Sequence, residues 1–432
     1  MKVVRGLQEA RSLFADRRRG GAADTGISIE RRETVARIVN DVRARGDRAV
    51  REHTEKIDGV RLDGLEVSRQ EIESSPGRID SGLREALELA ARRVRAFHEM
   101  QMSRLGLAFE ERGLGFTARA VRRVGVYVPG GKASYPSSVI MTAPPARAAG
   151  VEEIVVCTPP SPDGTVPLPT LAAAAVAGVD RVFGVGGAQA IAALAYGTET
   201  VPAVDKICGP GNVYVTLAKK MVFGTVGIDG LHGPTETMVL ADDSADPTLC
   251  AADLLAQAEH DEMASAVFVT TSPGLAERVS KELEVQAERL ARKEIVRRSL
   301  ENNGVILIVS GLDEAMEAAN LYAPEHLCLA VRDPRACLDR VRNAGGVFID
   351  SPEAVGDYTA GPSHVMPTGG TARFSSPLSV LDFLKLSIVV DIDRESLEAL
   401  GPAAAMIARA EGLEAHAISI EKRLGPVKRD TG

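Results

Sequence analysis

Apolar positions recur along this chain in two rhythms. Between residues 28 and 105 the rhythm is helical. "ETVARIVNDVRARGDRAVREHTEKID" and "GLREALELAARRVRAFHEM" space Val, Ile, Leu and Ala three and four apart among charges, which predicts amphipathic helices. From "RVGVYVPGG" onward, short continuous apolar runs are bounded by Gly and Pro: "EEIVVCTPP", "DRVFGVGG", "ETMVLAD", "AVFVTTS", "VILIVS" and "LCLAV". These predict buried strands. Between them "SVIMTAPPARAAG", "PTLAAAAVAGV" and "AQAIAALAYG" predict helices. Strand–helix alternation means parallel sheets covered on both faces. It occurs in two blocks, about 120–235 and about 236–350, as a diverged duplication would produce. The predicted class is α/β: two incomplete Rossmann-like parallel-sheet domains with helical N- and C-terminal extensions. The boundaries predicted are 1–25 for an N-terminal helical extension, 26–126 plus 237–378 for one α/β domain, 127–236 for the second, and 379–432 for a helical tail. After "SIVVDI" that tail shows no further strand, and Gly401-Pro402 reads as a break within it.

Composition narrows the class. The 432 residues include 51 Lys and Arg against 59 Asp and Glu, a net charge of −8, with no Trp. An acidic chain without a basic block or stacking aromatics is a poor nucleic-acid binder. The run Arg17-Arg18-Arg19 beside Gly20-Gly21 reads as a solvated helix end. Cys157, Cys208, Cys250, Cys328 and Cys337 form no CxxC pair, so neither a disulfide framework nor a thiolate zinc site is expected. The N-terminus lacks a signal-peptide core, and apolar runs break before they could span a bilayer. A cytoplasmic protein without membrane contact is expected.

Two features carry candidate chemistry. Three glycine loops follow predicted strands: "VYVPGG" (126–131), "FGVGGAQ" with Gly184, Gly186 and Gly187, and "CGPGNVYVTLAKK" (208–220). Such loops let phosphates approach backbone N–H groups at helix N-termini, and at strand ends they converge on one crevice. A dinucleotide fits, although a tight strand-to-helix turn accounts for any one loop alone. The second feature is "LLAQAEHDEM" (254–263). Asp246 and Pro247 start a helix there, and Leu249, Leu254, Leu255 and Ala258 sketch its apolar stripe. Asp253, Gln257 and His260 stand at i, i+4 and i+7 on another face. A solvated face is one reading; a metal or substrate site, with further ligands elsewhere, is the other.

The motifs "QAEH", "GPGNVYVTLAKK", "VGIDGLHGPTE", "YAPEHLCL", "AVGDYTAGPSHVMPTGGTARFSSPLSV", "FLKLS" and "EGLEAH" together resemble histidinol dehydrogenase along nearly the whole chain. The resemblance implies oxidation of L-histidinol through histidinaldehyde to L-histidine, with two NAD reduced per turnover and one zinc per site. It implies zinc ligation by Gln257, His260, Asp357 and His416, a set of N and O donors that keeps the ion a strong Lewis acid. Glu325 and His326 are implied as the acid/base pair. His326 would take the alcohol proton, and Glu325 would deprotonate the water added to the aldehyde. NAD contacts map to Tyr127, Gln189 and Asn212, in the domain 127–236. Substrate contacts map to Thr235, His364 and Glu411, with Gln257, His260, His326, Asp357 and His416 sharing that role. The tail 379–432, with Glu411 and His416, is implied to dock on a second subunit, in a homodimer with shared active sites.

The chain departs from the family pattern at Thr235 for a usual Ser, with His232 preceding Gly233-Pro234; at Ser363 before His364; at Leu386; and at Ala417-Ile418-Ser419. The altered positions lie close to the implied substrate contacts. The same chemistry on another small primary alcohol, as in a sulfopropanediol dehydrogenase-like relative, is the alternative. A thiohemiacetal at Cys208 and a catalytically idle NAD-binding scaffold are further readings; six retained polar residues speak against the scaffold.

Overall fold

The computed structural model describes residues 1–24, 28–130 and 134–425. Its N-terminal part contains β1 (Lys2–Arg5), α1 (Leu7–Asp24), α2 (Ile29–Arg45), α3 (Asp47–Asp58), α4 (Arg69–Ser74), α5 (Ser81–Arg104), β2 (Ala108–Glu111) and β3 (Leu114–Ala120). An alternating stretch follows: β4 (Arg123–Tyr127), α6 (Pro136–Ala148), β5 (Glu153–Cys157), α7 (Leu168–Ala177), β6 (Arg181–Phe183), α8 (Gly187–Tyr196), β7 (Lys206–Cys208), α9 (Val213–Val222) and β8 (Gly227–Ile228). A second one comprises β9 (Glu236–Ala241), α10 (Pro247–Ala258), β10 (Ser265–Thr270), α11 (Pro273–Ala287), α12 (Lys293–Asn303), β11 (Val305–Ile308), α13 (Leu312–Tyr322), β12 (His326–Ala330), β13 (Gly346–Ile349) and α14 (Glu353–Tyr358). β14 (Leu384–Val390), α15 (Arg394–Ala410) and α16 (Glu414–Leu424) follow. The chain divides into two compact units, residues 1–103 with 121–383, and residues 104–120 with those from 384 onward.

The larger unit holds two parallel sheets. One has the order β6-β5-β4-β7-β8, the other β1-β11-β10-β9-β12-β13. The two α/β blocks expected from the alternation are these sheets. Their strands are apolar on both faces because helices cover both; every residue of β9 is buried. Close packing fixes single residues: a Cβ on Gly125 of β4 would meet Leu194 Cδ1 of α8 at 2.9 Å.

Three local features differ from the sequence pattern. Lys2–Arg5 is not helical but pairs in parallel with Val305–Ile308 at the sheet edge, a strand too short to show a period. The helical pattern over 33–58 is two helices, because Gly46 at φ +56 turns the chain between α2 and α3. Their Val35, Ile38, Val39, Val42 and Val50 share a core with α8 and the five-stranded sheet, whereas the pattern grouped them with 237–378.

In the smaller unit β14, β3 and β2 form an antiparallel sheet, with Leu384–Val390 opposite Leu114–Ala120. α15 runs through Gly401-Pro402, so no break occurs there. Gly401 instead admits α16: a Cβ would lie 3.1 Å from Leu424 Cδ1 and 3.2 Å from Ile420 Cγ2. The expected turn after Glu411 is present. Gly412, at φ +75, donates to Arg409 O (2.9 Å), and Leu413 donates to Ala408 O (2.8 Å). These two bonds close the helix end with a left-handed cap.

Candidate active site

A cavity of about 280 Å³ opens at the N-terminal ends of β9 and β12, which are neighbours in the six-stranded sheet. Pro129, Pro210 and Gly211, from two loops at the carboxyl edge of the five-stranded sheet, line it from one side. Gln257, His260, Glu325, His326, Asp357 and His364 line it from the other. Thr235 belongs to the same lining, as does His232.

Glu325 and His326 sit where the chain enters β12. α13 ends on Ala323 at φ +54, a strained conformation for a residue with a Cβ, and Pro324 stiffens the next step. Gly346 N donates to Glu325 O (2.8 Å), which holds the segment against the neighbouring strand. Glu325 and His326 are nearly fully buried, at 6% and 2% exposure. Thr235 Oγ1 donates to Glu325 Oε2 (2.6 Å), and Glu236 N donates to the same oxygen (2.9 Å). Burial pushes the Glu325 carboxyl up to about 7, against the pull of His326 and these donors. His326 Nδ1 lies 3.3 Å from Glu236 O and 3.7 Å from Glu325 Oε2; Nε2 lies 3.1 Å from Asp357 Oδ1. Burial alone would lower the imidazole, but the Glu325 and Asp357 carboxylates outweigh it and raise it to about 10. The ring stacks on Phe348 at 5.4 Å.

The other expected residues divide into three groups. Gln257 lies in the last turn of α10, which starts as expected with Asp246 accepting from Thr248 N. His260 lies in the turn beyond the helix, yet both side chains reach the cavity. Asp253 does not; it lines a separate cavity with Cys250 and Cys328. Leu249, counted in the apolar stripe, is 64% exposed. Burial lowers His260 and His364 toward neutral imidazole, while the His326 hydrogen bond and the surrounding rings overcome burial and hold Asp357 below the usual carboxylate range. His364 Nδ1 is 2.9 Å from Asp357 O, and Thr235 Oγ1 is 3.0 Å from Gln257 Oε1.

Tyr127 ends β4, Gln189 lies in the first turn of α8 and Asn212 precedes α9, each beside one of the glycine loops. Gly187 N donates to the Tyr127 hydroxyl (3.1 Å), and a Cβ on Gly209 would meet Tyr127 O at 2.2 Å, so all three loops meet around this residue. Gln189 is fully buried with neither amide atom hydrogen-bonded. Asn212 caps α9 by accepting from Tyr214 N and Val215 N. Gly131 of the first loop and the side chains of Arg17-Arg18-Arg19 lie outside the described residues. Glu411 and His416 belong to the smaller unit, where both are exposed.

Cys208 is fully buried, and burial holds its thiol well above the usual range, which removes the thiolate a thiohemiacetal needs. All five cysteines are free and buried. The pattern missed two buried acids. Glu236 accepts from Gly369 N (3.0 Å), and Glu353, fully buried, accepts from Thr237 Oγ1 (2.9 Å) and is raised to about 7 by burial. Glu353 opens a helix, so its sequence position reads as an ordinary first-turn acid.

Donor chemistry at the cavity suits a divalent ion: an amide oxygen, a neutral imidazole and an ionised carboxylate. Among the described residues no group of three or more His, Cys, Asp or Glu side chains is placed to hold a metal ion.

Paired parallel sheets, a buried Glu–His pair and adjoining N/O donors define an α/β oxidoreductase-type active site. The histidinol dehydrogenase family model matches residues 24–424. Histidinol dehydrogenase of Dehalococcoides mccartyi is 50% identical, over 98% of this chain and 100% of its own. That of Deinococcus radiodurans is 54% identical, over 91% and 90%. The crystal structure of histidinol dehydrogenase from Elizabethkingia anophelis superposes with a TM-score of 0.91 at 33% identity, covering 98% of both chains. The chain belongs to the histidinol dehydrogenase family. Among the described residues no helix is long and apolar enough to cross a membrane.

Proposed function

We propose that the protein carries out the NAD-linked, four-electron oxidation of L-histidinol through L-histidinaldehyde to L-histidine, as a cytoplasmic enzyme of histidine biosynthesis. The observation that carries this reading is one cavity that joins the Glu325–His326 pair to Gln257, His260 and Asp357 and to the loops of the five-stranded sheet. In the first step His326, in the neutral form that a cation on Asp357 would favour over the protonated one, takes the hydroxyl proton while hydride leaves the carbinol carbon for nicotinamide. Water then adds to the aldehyde, its proton passing to Glu325 as His326 returns a proton to the carbonyl oxygen, and the hydrate gives hydride to a second nicotinamide and a hydroxyl proton to His326, leaving the acid. Buried at about pKa 7, Glu325 can hold or release a proton at neutral pH. Asp357 keeps His326 oriented through its Nε2.

Zinc would be held by Gln257, His260 and Asp357 with His416 of the partner subunit, and would supply Lewis-acid orientation of the substrate. A cation on Asp357 would also compete with the proton that this carboxylate favours on His326. We assign NAD to residues 127–236, with Tyr127, Gln189 and Asn212 in contact, and substrate to Thr235, His364 and the partner subunit's Glu411. Exposed apolar residues of the smaller unit, including Ile388 (76%) and Met406 (73%), support docking of residues 379–432 in a homodimer.

The reading is tested by product stoichiometry. Two NADH and one L-histidine per L-histidinol are expected. Turnover of 2,3-dihydroxypropane-1-sulfonate with none of histidinol would move the chain to the alternative substrate. For the metal, His260→Ala is expected to lose zinc, measured by elemental analysis, and nearly all turnover with the fold intact. Full zinc content in that variant would overturn the ligand assignment.

A further inference from the structure

We propose that Lys219 and Asp229 are positioning residues for the dinucleotide: their buried ion pair locks Gly209 and so fixes the Gly209-Pro210-Gly211 loop in the conformation that receives the cofactor. The inference rests on the NAD-linked reading above and deepens it.

Lys219 stands on α9, and Asp229 directly follows β8. Both side chains are only 2% exposed, and Lys219 Nζ donates to Asp229 Oδ1. The pair grips both backbone groups of one residue. Gly209 N donates to Asp229 Oδ2 (2.7 Å), and Lys219 Nζ donates to Gly209 O (3.1 Å). Gly230 N also donates to Asp229 Oδ1 (2.7 Å). Burial would raise the Asp229 carboxyl, but Lys219, foremost among its neighbours, holds it below the usual carboxylate range.

Stability does not account for the pair. Burying two charges costs desolvation energy, and apolar residues of equal size in their place are often as stable or more so. What the pair does hold is the loop residue least able to hold itself. Gly209 is at φ +107, and glycine leaves such a conformation freely. The clamp seats it against the end of β4, where a Cβ would meet Tyr127 O at 2.2 Å. The next two residues, Pro210 and Gly211, line the cavity that holds Glu325 and His326, and Asn212 caps α9. Locking Gly209 thus sets the course of the chain from β7 to the start of α9, where the dinucleotide is assigned. The linker from Asp229 to β9 is fixed separately at its far end, where Gly233 N donates to Thr368 Oγ1 (2.6 Å). Loosening the clamp should therefore reach the cofactor and spare the substrate.

The test removes both charges together, so that neither is left buried alone. In Lys219→Met/Asp229→Asn, backbone amide exchange of residues 209–212 in the dinucleotide-free enzyme should rise about tenfold, the size of one lost charged hydrogen bond, while β4 and β9 exchange as before. The dissociation constant of NADH, from fluorescence titration, should rise about tenfold, and that of L-histidinol, from calorimetry, by less than about twofold. Zinc content should not change. Lys219→Gln/Asp229→Asn, a neutral pair that can still bond both backbone groups of Gly209, should recover part of the NADH affinity. A pair that only stabilises the fold would lower the denaturant midpoint and leave the NADH affinity of the folded protein unchanged. That result, an equal loss for NADH and L-histidinol, or failure of both variants to fold would overturn the proposal. NADH binding by the unaltered chain checks the underlying reading separately; its absence would overturn both claims, and its presence leaves only the role of the pair to be decided by the variants.

Discussion

At the scale of single residues, burial sets the chemistry. Glu325 and Glu353 are both pushed to about 7 by loss of water, yet they have different neighbours. Glu325 faces the cavity and is the proposed acceptor of the attacking water's proton, a need of the aldehyde step alone. Glu325→Gln is therefore expected to slow histidinaldehyde oxidation by about 10²–10⁴-fold and histidinol oxidation much less. Equal losses, with the two steps assayed separately, would defeat this division. Glu353 lines no part of the cavity and instead supports β9 through Thr237. Its folded pKa lies above the ordinary 4.5, so the acid is most favourable to folding below pH 4.5 and loses that contribution as pH rises toward 7. Glu353→Gln removes the titration. Relative to wild type, the variant should gain up to about 3 kcal/mol between pH 4.5 and 8 in denaturant unfolding, at about 1.4 kcal/mol per pK unit. A pH-independent difference would exclude Glu353 as the titrating group. Gln257 and His260 stood out in the sequence because a polar pair near an apolar stripe is conspicuous. Glu236 and Glu353 did not, because an acid before a strand or in a first helical turn is what surface segments also show.

At the scale of elements, periodicity and punctuation carried most of the information. The apolar runs became β4–β6 and β9–β12 because parallel strands bury both faces, and Asp246-Pro247 began α10 through a side-chain cap. β1 was invisible because four residues show no period and its partner, Val305–Ile308, lies far along the chain. Gly401-Pro402 misled for a physical reason. Pro402 costs a hydrogen bond, but α15 continues because Gly401 lets Ile420 and Leu424 of α16 pack against it. Two glycines of this hairpin should thus respond to different substitutions. Gly412→Ala meets no atom within 4 Å and should cost about 1 kcal/mol from its positive φ alone. Gly401→Leu drives side-chain volume into α16 and should cost about 1–3 kcal/mol. Circular dichroism during denaturant unfolding measures both. A neutral Gly401→Leu would mean that α16 does not pack tightly on α15.

At the scale of the whole molecule, the candidate site is divided along the chain. Gln257, His260, Asp357, Glu325 and His326 belong to the larger unit, while Glu411 and His416 lie exposed on the smaller one. The smaller unit buries little of its own apolar surface: Leu386 is 61% exposed, Ile388 76%, Val390 60% and Ile407 61%. Exposed apolar residues mark an interaction surface where they are contiguous. If a second copy covers it, each cavity can receive Glu411 and His416 of the partner subunit, and the dimer has two such sites. Subunit mixing distinguishes this arrangement from a self-contained chain. His260→Ala and His416→Ala homodimers are each expected to be inactive. In a heterodimer of the two, one site carries both lesions and the other carries neither, so a fully exchanged equimolar mixture, half of it heterodimer, should regain about a quarter of wild-type activity per subunit. Exchange is verified independently, with chains bearing different tags. Demonstrated exchange without recovered activity would mean that His416 serves its own subunit's site, and the shared-site dimer would be wrong.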